Sequence, residues 1–132
     1  LTGFFGRWSE VSTSPRVVCD TGHNPEAFRR LVVQAERECA GRIHWVLGAA
    51  ADKDSSGIIA LLPAHSHFYW TSCSSPRCKT GEALQEEAAV LGKIGSKFES
   101  VSSALGAARK GASENDLIFV GGSTFVVADL EL

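Results

Sequence analysis

Three short stretches carry side chains suited to chemistry, and each falls where a loop follows an apolar run. In Asp20-Thr21-Gly22-His23-Asn24-Pro25, a carboxylate ends a β-branched run and a histidine follows three residues later. A carboxylate there accepts two hydrogen bonds from the vicinal hydroxyls of a ribose, or it caps the loop that follows; both readings stand. Gly22 admits a tight turn, and the helix start beyond it favours negative charge. His23 then offers a donor to a carboxylate or phosphate, or satisfies a backbone partner. Gly121-Gly122-Ser123-Thr124 follows the most apolar run, Asp116–Val120, and sets two hydroxyls behind two glycines, a loop that allows close approach of a ligand. Gly48–Asp54, ending in Asp52-Lys53-Asp54, is the third such loop.

Several chemistries are excluded by what these loops lack. The G-x-x-x-x-G-K-[ST] phosphate cradle is absent from the chain, and no G-x-G-x-x-G opens the first helix, which counts against a nicotinamide or flavin site. Ser123 stands outside any G-x-S-x-G elbow and no His/Asp pair completes a triad with it, so hydrolysis is a weak reading. A zinc site from His65, His67, Cys73 and Cys78 is the sharper alternative for those residues, but Cys73 and Cys78 lack C-x2-C spacing. They read as ordinary residues, with no metal site expected. The four cysteines are too sparse for a disulfide-stapled scaffold and are expected to be reduced.

The elements that position these loops alternate. Arg16–Asp20 reads as a strand; Asn24 then serves as N-cap with Pro25 at the first helical position, and Ala27, Leu31, Ala35 and Cys39 recur at helical spacing until Gly41. Ile43–Gly48 (strand), Gly57–Leu62 (helix), His67–Thr71 (strand), Thr80–Leu91 (helix), Lys97–Glu99 (weak strand), Ser102–Lys110 (helix) and Asp116–Val120 (strand) follow, and a turn leads into Phe125–Leu130. Trp8–Val11 is placed as an antiparallel edge strand. The fold class is therefore α/β: a Rossmann-like three-layer domain with a mainly parallel sheet, one antiparallel edge strand and helices on both faces. The strands ending at Asp20 and Val120 are expected side by side or nearly so, bringing His23 and Ser123 together.

All 132 residues fit one domain. A formal charge of −2 supplies no excess of positive charge for a polyanion, so nucleic acid is not an expected partner. No apolar run approaches the roughly 20 residues needed to span a bilayer, and no export leader opens the chain, so a cytoplasmic, membrane-independent monomer is expected. The chain begins at Leu1 and holds no methionine, which suggests a piece of a longer polypeptide.

Taken in order, Gly6-Arg7-Trp8, Arg16–Asp20 with His23-Asn24-Pro25, Asp52-Lys53-Asp54, Ser75-Pro76-Arg77 and Asp116–Asp129 (DLIFVGGSTFVVAD) resemble the C-terminal domain of folylpolyglutamate synthase/dihydrofolate synthase enzymes, in the Mur ligase family. Each motif alone is weak; five in sequence are specific and cover nearly the whole chain. Two positions depart from the family's habit: Phe4-Phe5 stands where a proline often precedes Gly6-Arg7, and Thr21-Gly22 replaces a more apolar pair.

The resemblance implies that this domain closes over a P-loop domain of the same polypeptide. That partner would carry the Mg2+ ligands and the folate site, which accounts for the missing phosphate cradle. ATP would activate a folate or dihydropteroate carboxylate as an acyl phosphate for attack by the amine of glutamate. By the same resemblance Arg7 and Asp20 would bind ATP, His23 and Ser123 would be the catalytic positions bordering glutamate, and Asn24 and Thr124 would lie beside them. Arg77 is either a loop charge or a further ligand contact. The alternatives are the C-terminal domain of another Mur-type amide ligase and a stand-alone Rossmann-like nucleotide-binding module. Under the first reading the isolated chain is inactive.

Overall fold

The computed structural model describes residues 7–130. Six strands form one sheet in the order β1-β2-β6-β3-β4-β5: β1 Ser9–Thr13, β2 Arg16–Asp20, β3 Ile43–Leu47, β4 His67–Thr71, β5 Ser96–Phe98 and β6 Leu117–Gly121. The helices are α1 Pro25–Glu38, α2 Ser56–Leu61, α3 Gly81–Val90, α4 Val101–Gly111 and α5 Thr124–Ala128. Among these described strands only the β1–β2 pair is antiparallel, turning at the cis Ser14–Pro15 peptide. The pairs β2–β6, β6–β3, β3–β4 and β4–β5 are parallel.

Alternation along the strands makes the three layers. Val18, Trp45, Leu47, Leu117 and Phe119 face a core closed by α1, α2 and α3, whereas Val17, Cys19, Val46, Ile118 and Val120 face one closed by α4 and α5. Strands covered on both faces in this way read as continuous apolar runs, as IHWVL and LIFVG do. Helix α1 starts where Asn24 Oδ1 accepts the Ala27 N–H at 2.8 Å and Pro25 takes the first turn, where its missing N–H costs nothing. Its buried stripe is Phe28, Leu31, Val32 and Ala35; the expected Ala27 and Cys39 flank it, half-buried.

Several boundaries move from their expected places for local reasons. Strand β1 runs to Thr13 because an irregularity between Glu10 and Ser12 lets pairing continue to Thr13 opposite Arg16. Trp8 precedes that strand and packs its ring 6.1 Å from Phe119. Strand β5 closes at Phe98 because Ser100 caps α4, accepting the Ser103 N–H at 3.1 Å. The segment after β6 opens one residue earlier than expected, as the short helix α5.

The expectation of four reduced cysteines is overturned. Cys73 and Cys78 form a disulfide, their Cα atoms brought to 5.9 Å by the turn through Ser75 and Pro76, within the span such a bridge requires. Cys19 and Cys39 remain thiols. Of the zinc candidate histidines, His67 stacks on His44 with ring centroids 4.7 Å apart. Among the described residues no group of three or more His, Cys, Asp or Glu side chains is placed to hold a metal ion.

Candidate functional site

Insertion of β6 between β2 and β3 gathers the carboxyl ends of three parallel strands at one place, where ligands bind in open α/β sheets. A cavity of about 410 Å³ opens there. His23 enters it from the β2–α1 loop, Asp52, Lys53 and Asp54 from the segment after β3, Arg77 from the loop after β4, and Ser123 and Thr124 from the β6–α5 turn. Two loops far apart in sequence thus meet as expected.

The glycines explain how the walls approach. Gly122 has φ +97°, a left-handed value that disfavours side chains, and a Cβ there would run into the Gly48 carbonyl oxygen. Gly48 in turn donates its N–H to the Gly121 carbonyl at 3.1 Å, so the turns after β3 and β6 are laced together directly.

Each predicted side chain has a definite setting. Ser123 is buried and caps α5, its Oγ accepting the Phe125 N–H at 3.1 Å, which leaves the hydroxyl hydrogen to donate. Thr124 beside it is exposed on the cavity wall. His23 is exposed, and its Nδ1 lies 3.3 Å from the Thr21 carbonyl, which leaves Nε2 free of partners among the described residues that would hold the ring.

Asp20 and Arg7 lie elsewhere, in a shallower neighbouring cleft of about 170 Å³ that also includes Gly22, Asn24 and Arg30. His23 borders both clefts. The Asp20 carboxylate accepts the Trp8 N–H at Oδ2 and the Gly22 N–H at Oδ1, each at 2.7 Å. The loop-capping reading of Asp20 is therefore realised. It leaves lone pairs for a further partner, because an ionised carboxylate has about four acceptor sites. Asn24 caps α1 from within the same cleft. Gly6, which precedes Arg7 in the first motif, lies outside the described residues, as do Phe4 and Phe5.

Two cations on the larger cavity had no definite role in the sequence reading. The Arg77 guanidinium lies 5.9 Å from the centre of the Phe125 ring, a cation–π placement between two residues that both line the cavity. Lys53 stands between Asp52 and Asp54, and the Asp54 carboxyl is held below its ordinary range by the hydroxyl and N–H of Ser56. The D-K-D and S-P-R strings were visible as motifs; nothing in their spacing showed that they share one wall.

The Mur ligase, glutamate ligase domain family matches residues 6–124, and the chain belongs to that family. Among its relatives, a dihydrofolate synthase/folylpolyglutamate synthase of Escherichia coli is 38% identical over 125 residues, or 93% of this chain and 29% of that enzyme. A solved bifunctional folylpolyglutamate synthase/dihydrofolate synthase with Mn, AMPPNP and L-glutamate bound is similar at TM-score 0.82 and 31% identity, over 93% of this chain and 30% of that one. Mycobacterium tuberculosis folylpolyglutamate synthase complexed with ADP and AMPPCP is similar at TM-score 0.84 and 25% identity, over 95% and 31%. This chain spans about three tenths of the length of these relatives.

Proposed function

We propose that this chain is the C-terminal domain of an ATP-dependent ligase that joins glutamate to the carboxylate of a folate or dihydropteroate, working in the cytoplasm with a P-loop domain of the same polypeptide. The observation that carries the reading is the meeting of His23, Ser123, Lys53 and Arg77 around one cavity, in a chain homologous to an enzyme solved with L-glutamate and a nucleotide analogue. Glutamate brings two carboxylates and an amine. Lys53, Arg77, the Ser123 hydroxyl and the His23 ring match the carboxylates; Asp52 and Asp54 match the ammonium before it loses its proton.

In this reading the neighbouring cleft takes the nucleotide: Arg7 faces its phosphates and the outward lone pairs of Asp20 accept from its ribose. ATP, with Mg2+ held by the other domain, supplies the activation of the carboxylate as an acyl phosphate. This domain's contribution is to bind and orient the amine against that carbon, an effect that in enzymes supplies a large share of the rate. His23, bordering both clefts, stands between the two substrates.

The test uses the full-length enzyme. His23→Ala is expected to lower kcat/KM for glutamate by about tenfold or more with KM for ATP nearly unchanged, the cost of one charge-assisted hydrogen bond. An equal loss for ATP, or none for glutamate, removes His23 from the glutamate site.

A further inference from the structure

Ser55 occupies the N-cap position of α2, where a serine hydroxyl ordinarily accepts an N–H of its own helix, yet its side chain makes no such bond. Asp54 serves that helix start instead, its Oδ1 accepting the Ser56 N–H at 3.0 Å and the Ser56 hydroxyl at 2.6 Å. Ser55 is a buried residue, 3% exposed, and its hydroxyl turns toward Lys79 and Glu87. It donates to Glu87 Oε1 at 2.8 Å and accepts from Lys79 Nζ at 2.7 Å, and Lys79 Nζ closes the triangle by donating to Glu87 Oε2 at 3.1 Å.

These three residues come from the start of α2, from the loop between β4 and α3, and from the middle of α3. The main chain repeats the same tie. Lys79 N donates to the Ala49 carbonyl at 2.8 Å and Ala51 N donates to the Arg77 carbonyl at 2.6 Å, on either side of an antiparallel bridge between Ala50 and Cys78. One of the joined segments carries Asp52, Lys53 and Asp54 onto the cavity and the other carries Arg77. Of the triangle only Ser55 faces the cavity; Lys79 and Glu87 stand behind it.

We propose that Lys79 and Glu87 are positioning residues: through Ser55 they hold the Lys53 loop and the Arg77 loop at a fixed separation, and so set the affinity of the cavity for an amino acid with two carboxylates. The proposal rests on the glutamate reading of that cavity. An exposed ion pair contributes little to anything. This pair is different in kind because its side chains are only 17% and 27% exposed and both of its members bond a buried hydroxyl on the cavity wall. Neither Lys79 nor Glu87 lines the cavity, so their effect on a ligand must travel through Ser55 and the paired loops.

The experiment measures KM for glutamate, KM for ATP, kcat and the melting temperature for Lys79→Met, Lys79→Arg and Glu87→Gln in the full-length enzyme, with His23→Ala as reference. Lys79→Met is expected to raise KM for glutamate roughly threefold to thirtyfold while kcat and KM for ATP stay within about twofold, the range by which residues remote from a ligand modulate its binding. Lys79→Arg, which keeps the charge and the reach to both partners, should restore most of the loss. Glu87→Gln, a milder change, should fall between and decides the matter where Lys79→Met fails to fold. A lower melting temperature with KM for glutamate unchanged, or equal losses for glutamate and ATP, overturns the proposal. Should His23→Ala also leave glutamate unaffected, it is the reading of the cavity that fails; a glutamate defect in His23→Ala but in none of the other variants isolates the failure to the positioning residues.

Discussion

Replacing Asp20 by alanine should unfold the isolated domain well before wild type, without any nucleotide present. The carboxylate joins the start of the chain to the first βα loop, accepting the Trp8 N–H and the Gly22 N–H at 2.7 Å each while only 8% of the residue is exposed. A hydrogen bond to a charged group contributes about 1.5 to 3 kcal/mol, and its loss leaves the partner N–H short of an acceptor. Taking the lower figure for each, since water reaches the loop, gives about 3 kcal/mol for Asp20→Ala. In a domain of this size that corresponds to a fall in melting temperature of roughly 10 °C. Asp20→Asn keeps one acceptor oxygen but sets an amide NH2 against the other N–H, so it should lose about half as much. Circular dichroism melts of the two variants supply the assay. A melting temperature within 2 °C of wild type, on the order of 0.5 kcal/mol, would refute the claim that this carboxylate locks the loop. The prediction also governs how an ATP defect in Asp20→Ala is read in the full enzyme: only a loss of nucleotide affinity beyond that expected from loosening the loop counts for a ribose contact.

Two further outcomes are expected. The Asp116 carboxyl is held at about 2: burial pushes it up, but the N–H groups of Ser113 and Arg42 and the His44 ring outweigh burial. A depressed folded-state value adds stability above the ordinary value of 3.8, here roughly 2 kcal/mol, and that stability is lost as pH falls through about 2. Asp116→Asn should therefore reduce stability at neutral pH by about that amount and flatten its dependence between about pH 4 and pH 2; urea titrations showing the wild-type acid slope in the variant would contradict this. Because Cys73 and Cys78 are bridged, denatured but unreduced protein should show only the thiols of Cys19 and Cys39, with the other two appearing after reduction; four reactive thiols before reduction would rule out the bridge.

Local signals in the sequence were sufficient for most of the fold. Asn24 and Pro25 mark the start of α1 through a side-chain acceptor and a missing donor, both properties of residue type alone. The apolar runs of β3 and β6 mark buried strands for a similarly direct reason. Less legible were features made by partners distant in the chain. Cys73 and Cys78 lie five positions apart with no metal-like spacing, and only the turn between them shows that their sulfurs meet. Ser55 is a sharper instance: a serine before a helix signals a cap, and here the signal misleads, because Lys79 and Glu87 compete successfully for its hydroxyl from 24 and 32 positions away. A pairing rule that works over three or four residues has no access to competitors at that range.

Asp20 shows how two readings of one residue can both hold. In the sequence it was either a ribose acceptor or a loop cap, as though the roles excluded one another. The geometry removes the opposition: each carboxylate oxygen is engaged once by a main-chain N–H, and each has a second lone pair. The two main-chain bonds fix the direction in which the remaining lone pairs point, and a rigid acceptor pair binds vicinal hydroxyls with less loss of freedom than a mobile one. In the proposed nucleotide reading, capping is the means by which the carboxylate is prepared for a ribose. The same logic applies to Ser123, whose oxygen is fixed by the Phe125 N–H so that its one remaining donor is presented at the cavity. In both residues the bond that a purely structural account would name is the bond that orients the group for its proposed role.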